Sequence, residues 1–182
     1  MPTQGKQSGS ADALDLLRAD HDRVRDLFRE FEQRKGSVED DERKSELVDE
    51  ICYELTLHTM IEEEIFYPAV RAAIDDNALM DEADIEHAGA RELIGQLEVM
   101  YPGDDHFDAT VTVLGEEVTH HIEKEESDMF AAACHSGIDL DALGEQLAAR
   151  KEELDDDLSA PPQTLDAMAL RDGVRRPPRA PN

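Results

Sequence analysis

A chain of 182 residues is long enough for one domain with a real hydrophobic core. Hydrophobic residues make up 40% but aromatics only 4%, with no Trp, which favours a helical core of Leu, Ile, Val and Ala over an aromatic-rich β-sandwich. The formal net charge of −27, from 45 acidic and 18 basic residues, repels phosphate backbones and anionic lipid; it argues against nucleic-acid and membrane partners and favours cations.

No apolar run approaches the ~18 residues a membrane helix needs. Met1 to Ser10 lacks the apolar stretch of a secretory signal, so a cytoplasmic chain with reduced thiols is expected. Cys52 and Cys134 form no C-x-x-C pair and are read as packing residues.

Residues 1–11 are Gly/Ser/Gln-rich and expected to be disordered, with Ser10 as the first helix cap. Leu14, Leu17, His21, Val24, Phe28 and Phe31 then recur at alternating spacings of three and four, the inward stripe of a bundle helix that ends at Lys35-Gly36-Ser37. The second helix carries Leu47, Ile51, Leu55, His58, Glu62, Ile65 and Ala69 on its stripe, with Pro68 loosening its last turns and Glu54 skirting the same face. A loop is expected at Asp75-Asp76-Asn77. The third helix is predicted to start near Asp81, with Ala83, His87, Ala90, Ile94 and Leu97 inward. After the turn signal Tyr101-Pro102-Gly103-Asp104, the fourth helix carries Phe107, Val111, Leu114, Val118, His121, Glu125 and either Asp128 or Met129. The phase selects His121 over its neighbour His120, which is rotated by ~100°.

The expected architecture is therefore all-α: an antiparallel up-down-up-down four-helix bundle over residues 12–136, followed by an accessory helix over 137–159 capped by Asp139. Residues 160–182, rich in Pro and Arg, are expected to form a disordered tail.

The hairpins repeat. Asp20-His21 with Val24-Arg25 corresponds to Glu86-His87 with Ala90-Arg91, and His58-x-x-x-Glu62-Glu63 corresponds to His121-x-x-x-Glu125-Glu126, with Tyr67 matching Phe130. A His and a Glu four apart share one helix face. Folding then gathers His21, His58, His87, His121, Glu62 and Glu125 where Leu and Val otherwise prevail, and burying such groups without partners costs roughly 1–3 kcal/mol each. Imidazole-plus-carboxylate ligation of two metal ions, of iron, zinc, manganese or copper type, resolves this. Asp20, Glu63, Glu86 and Glu126, beside the selected residues, are read as mainly solvated, and His106, His120 and His135 as lying outside the site.

His21, His58-x-x-x-Glu62, His87 and His121-x-x-x-Glu125 together resemble the hemerythrin-like family, the HHE cation-binding domains, over about residues 12–135. The resemblance implies an antiparallel four-helix bundle holding two non-haem iron ions, bridged by the two carboxylates and an oxo- or hydroxo-type oxygen. Oxygen-carrying members have five histidines, two of them one turn apart on the third helix. Here Arg91 and Ala83 flank His87 at that spacing, and a tyrosine, Tyr53 or Tyr67, is the substitute to consider, although neither lies on the ideal stripe. The expected role is binding or decomposing O2 or hydrogen peroxide, with turnover left open. The alternatives are non-enzymatic sensing or scavenging of O2 or nitric oxide, holding labile iron, and a structural zinc bundle.

Overall fold

The computed structural model describes residues 11–74 and 77–159, all in helices and their connections, with no strand among them. The helices are α1 (Ala13–Arg34), α2 (Asp41–Ile61), α3 (Tyr67–Ala73), α4 (Asn77–Leu97), α5 (Phe107–Lys124), α6 (Phe130–Ser136) and α7 (Leu140–Ser159). A π-helical turn, Glu62–Phe66, joins α2 to α3, and a second, Glu125–Met129, joins α5 to α6. Each of these pairs is one long bundle helix with a wide turn inside it, so the expected four-helix bundle is what the chain builds.

Local chemistry sets the ends. The Asp12 carboxylate, rather than Ser10, caps α1 by accepting the Asp15 N–H at 2.9 Å. Gly36, at φ +78°, supplies the left-handed residue that lets the chain leave α1. Asp139 accepts the Ala142 N–H and starts α7 as expected. The third bundle helix starts at Asn77, one turn earlier than predicted. The sense of packing shows in the ion pairs: Arg23 meets Glu50 while Glu30 meets Arg43, so α1 and α2 are antiparallel.

Two apolar clusters fill the bundle. One gathers Phe31, Leu47, Ile51, Phe107 and Leu114; the other gathers Leu17, Leu57, Ile61, Phe66 and Phe130. Leu143, Leu147 and Leu154 of α7 belong to the second cluster, so α7 packs on the outside of α1 and α2 there. Leu158 is largely exposed, and so is Cys134, which has no packing role. Cys52 is half-buried, and its burial, with the nearby charges of Glu98 and Asp49, pushes its thiol up to about 12. No helix of the described residues is long and apolar enough to cross a membrane. The segments 1–10 and 160–182, expected to be disordered, lie outside the described residues.

The π-turns correct the predicted stripe. Beyond Glu62 the inward positions are Phe66, Tyr67 and Val70 rather than Ile65 and Ala69. Beyond Glu125 they are Met129, Phe130 and Ala133. A regular helix sets residues five apart about 140° from each other. The extra residue of a π-turn brings them to one face, and the Tyr67 and Phe130 N–H groups bond to the Glu62 and Glu125 carbonyls in that way. Pro68 follows the first π-turn at the start of α3, where its missing N–H suits a widened turn. The equivalent residue in the second copy is Ala131, so proline is not the common cause. What the two turns share is a glutamate and an aromatic that must both face inward.

Candidate metal centre

All six residues selected from the sequence meet in one buried layer between the apolar clusters. His21 and His58 bring their Nε2 atoms to 3.1 Å, and His87 and His121 bring theirs to 3.2 Å. Glu62 lies between the pairs, with Oε1 3.2 Å from His58 Nε2 and Oε2 3.4 Å from His87 Nε2. Glu125 Oε2 is 3.2 Å from His21 Nε2 and 4.0 Å from His121 Nε2. Donor atoms of His21, His58, Glu62 and Glu125 lie within 4.8 Å of one another, as do those of Glu62, His87 and His121. Glu62 is common to both groups.

Each ring turns its other nitrogen outward to a carboxylate. His21 Nδ1 is 2.9 Å from Glu126, His87 Nδ1 3.0 Å from Glu63, His121 Nδ1 2.7 Å from Glu86, and His58 Nδ1 3.7 Å from Asp20. A carboxylate at Nδ1 holds the proton there and leaves the Nε2 lone pair facing inward, as metal-ligating imidazoles require. A cation stands behind every carboxylate. Arg25 bonds to Glu126, Arg91 to Glu63 and Lys151 to Asp20, while Lys124 lies 3.7 Å from Glu86.

The sequence expects these four carboxylates to be mainly solvated; the structure instead sets each beside a histidine of the site. Their signal was the repeat: Asp20 with Glu86, Glu63 with Glu126 and Arg25 with Arg91 recur in register in both hairpins. The lysines are not repeated, and Lys151 comes from α7. Glu54 turns to Arg23 instead of the site, and His106, His120 and His135 lie outside it.

Charge is unevenly held. Burial alone would raise the Glu62 carboxyl, but His58 and His87 hold it well below the usual carboxylate range. Burial pulls His58 down, yet Glu62, Asp20 and Glu125 outweigh it and push the imidazole up to about 10. Glu125 is raised, by burial first and then by the charge of Glu62. Neither Glu125 oxygen accepts a well-formed hydrogen bond, and neither does Glu62 Oε1.

Tyr67 enters the site through the first π-turn. Its hydroxyl donates to Glu62 Oε2 at 3.2 Å and lies 3.2 Å from His87 Nε2, and its ring is tilted against the His87 ring. The phenol is raised well above its ordinary value by burial, Glu62 and Glu125. Tyr53 points instead to Asp155 of α7. Phe130, the counterpart of Tyr67, stacks on His21 at 5.8 Å with no polar atom. Beyond the histidines is a cavity of about 20 Å³ whose apolar wall is Val24, Leu55, Ala90 and Val118, room for one water-sized molecule.

The comparisons with known proteins agree with this geometry. The hemerythrin HHE cation binding domain family matches residues 12–133. A DNA nickase of Nostoc sp. is 32% identical over 130 residues, 71% of this chain but only 36% of the relative, so the chain spans just over a third of that protein. The uncharacterized protein Rv2633c of Mycobacterium tuberculosis is 31% identical over 152 residues, covering 78% of this chain and 86% of the relative. The crystal structure of its homolog from Mycobacterium kansasii, a hemerythrin HHE cation binding domain-containing protein, superposes with a TM-score of 0.67 at 27% identity, covering 79% of this chain and 87% of that one. With six buried imidazole and carboxylate donors converging inside a helical bundle, the chain belongs to the hemerythrin HHE cation-binding domain family and is a metal-binding protein.

Proposed function

We propose that His21, His58, Glu62, His87, His121 and Glu125 hold two iron ions, and that this centre binds or reacts with a small oxygen species, O2 or hydrogen peroxide. One observation carries the reading. Four inward Nε2 atoms surround two buried glutamates, and three of the four glutamate oxygens have no hydrogen-bond partner. Buried polar groups are rarely left so in a native protein, and among the described residues the hydroxyl bonded to these glutamates is that of Tyr67 on Glu62. Mixed imidazole and carboxylate donors fit borderline divalent cations, iron among them. Iron bound there supplies redox equivalents and coordination positions that the protein leaves open.

The chain's own groups do the rest. Glu62 reaches both histidine pairs and so ties the two positions together. Glu126, Glu63 and Glu86 fix the Nδ1–H tautomers of His21, His87 and His121, and Asp20 faces the Nδ1 of His58 at 3.7 Å. The Tyr67 hydroxyl, beside His87 where no fifth histidine stands, holds a proton against Glu62 at the edge of the site. The apolar wall of the cavity suits small neutral molecules and disfavours larger or charged ones. The formal net charge of −27 gives no ground for carrying DNA nicking over from the longer relative.

Expression with iron, metal analysis and an optical spectrum before and after peroxide test the reading. Two irons per chain, oxo-to-iron charge-transfer absorption and oxygen release from peroxide are expected. An iron-free, colourless protein after iron-replete expression refutes it. A second reading, reversible sensing or scavenging of O2 or nitric oxide, draws on the same cavity; it predicts spectral change with either gas but no turnover. Zinc in place of iron would mark a structural bundle.

A further inference from the structure

The two hairpins differ where the repeat would have made them alike. In the first, Leu16, Leu17, Ile61 and Phe66 stand around Asp20 and His58, and α7 lies over them with Leu143, Leu147 and Leu154 buried and Lys151 bound to Asp20. The matching positions of the second hairpin are Glu82, Ala83, Lys124 and Met129, around Glu86 and His121. Among the described residues no helix covers this face. A small cavity of about 10 Å³, at the lower limit for a single water, lies beneath it, bordered by Glu82, Glu86, Lys124 and Glu125 and by apolar Leu79 and Met129. Glu125 is 2% exposed, and both of its oxygens lack a hydrogen-bond partner. The Glu82 side chain is 55% exposed, and Lys124 bridges it to Glu86 across the opening.

From this we propose that divalent cations reach the buried cluster through the α4–α5 face: Glu82 captures them, Lys124 is the displaceable cover, and Glu86 and Glu125 lead them inward. The proposal rests on the metal-centre reading above. The chemistry favours this path over the other openings. A hydrated cation must exchange water for other oxygens as it enters, because stripping it against an apolar wall is very costly. The cavity walled by Val24, Leu55, Ala90 and Val118 also borders Thr59, Glu86 and Glu117, but its surface is mostly apolar and it does not border Glu125. The first hairpin is closed by α7. On the α4–α5 face carboxylates follow one another from solvent to Glu125. At rest the Lys124 ammonium neutralises the outer pair, and an arriving cation replaces it there, releasing Lys124 toward solvent.

The test is the rate of metal uptake by the full chain after its metal has been removed with a chelator. Co²⁺ is the probe, followed by its visible absorption in a stopped-flow instrument, with release measured by transfer to excess chelator. A residue on the path but outside the site changes uptake and release by one factor and leaves affinity unchanged. Glu82→Gln should slow both about tenfold, at the lower end of what a charged cleft contributes to on-rates. Lys124→Met should speed uptake severalfold. Glu152→Gln, an equal charge change on the exposed face of α7, should alter neither, and circular dichroism checks that every variant is folded. Wild-type rates in both Glu82→Gln and Lys124→Met, with full stoichiometry, overturn the route. So does a loss of affinity in Glu82→Gln expressed only in faster release, which would make Glu82 part of the site itself. A wild-type chain that takes up no Co²⁺ and no Fe²⁺ overturns the metal-centre reading, and the route with it.

Discussion

Glu125→Met should make the metal-free protein more stable while destroying its ability to hold metal. Met matches Glu closely in volume, so neither a cavity nor overpacking is introduced. In the wild type the carboxyl is 2% exposed, and both oxygens lack a well-formed hydrogen bond. Its removal relieves roughly 1–3 kcal/mol for each orphaned group. Against this stands the loss of the 3.2 Å contact with His21, for which a roughly 1–2 kcal/mol charge-assisted interaction is a fair allowance. His21 keeps Glu126 at Nδ1, so its ring stays oriented. The balance is a gain of about 2 kcal/mol, or a rise in Tm of about 4–8 °C for a domain of this size. Urea denaturation of the chelator-treated proteins at neutral pH measures it. With iron present the order should reverse, because metal binding stabilises only the wild type. A metal-free Glu125→Met protein less stable than the metal-free wild type would refute the claim that this layer is built for a ligand and not for the fold.

Three further outcomes follow from the same geometry. Tyr67→Phe removes the hydroxyl bonded to Glu62, so the metal-free protein should lose about 1–2 kcal/mol by urea denaturation; the iron-loaded protein should keep its stoichiometry but change its optical spectrum. Glu63→Ala and Glu126→Ala each free one histidine Nδ1 and should weaken metal binding about 10–100-fold in a chelator competition, with little change in the circular dichroism spectrum. The third concerns pH. In the metal-free protein His58 is pushed up to about 10 from an ordinary 6.5. Its folded pKa is the raised one, so its stabilisation is complete below 6.5 and is lost as pH climbs through 10. Thermal denaturation should therefore show metal-free stability falling across that window. Metal needs the neutral ring, so loading at pH 7 should release a proton, seen by calorimetry in two buffers of different ionisation heat.

The helical stripes were legible because burial acts on every turn. Leu14, Leu17, His21 and Val24, or Val111, Leu114, Val118 and His121, can all face inward only on a helix, and the structure buries them all. What escaped was a change of period. Reading onward at 3.6 residues per turn puts Ile65 and Ala69 inside, and a π-turn leaves no composition of its own to warn against that. The same regular period sets Tyr67 off the stripe, and the π-turn brings it inward. The outer carboxylates escaped for another reason. Glu63 and Glu126 keep 34% and 27% of their side-chain surface, and a half-exposed glutamate reads like a solvated one. Only their recurrence beside Arg25 and Arg91 set them apart. The link from Lys151 to Asp20 spans 131 positions and has no periodic signature at all.

A near-repeat in sequence has here produced two unequal halves of one site. Around His21 and His58 both glutamates come within 3.2 Å, Phe130 offers no donor, and α7 closes the outside. Around His87 and His121 Glu62 comes to 3.4 Å, Glu125 stays at 4.0 Å from His121, Tyr67 adds a hydroxyl, and among the described residues no helix covers the acidic outer face. Both halves have two imidazoles with a carboxylate beyond each Nδ1, at 2.7–3.0 Å for three of them and 3.7 Å for His58, so most of the difference does not lie in how the histidines are held. It lies in three positions where the repeat diverged, Phe130 for Tyr67, Glu82 for Leu16 and Lys124 for Ile61, and in one helix with no counterpart. Each divergence removes a donor or a wall from one half only. A fold stabilised by symmetric packing can tolerate such changes because the two apolar clusters on either side of the polar layer bear the stability. The His87–His121 half thus gathers three imidazole and carboxylate groups against four in the other half, with a phenol beside them, and an exchangeable position requires such a gap in the donor set.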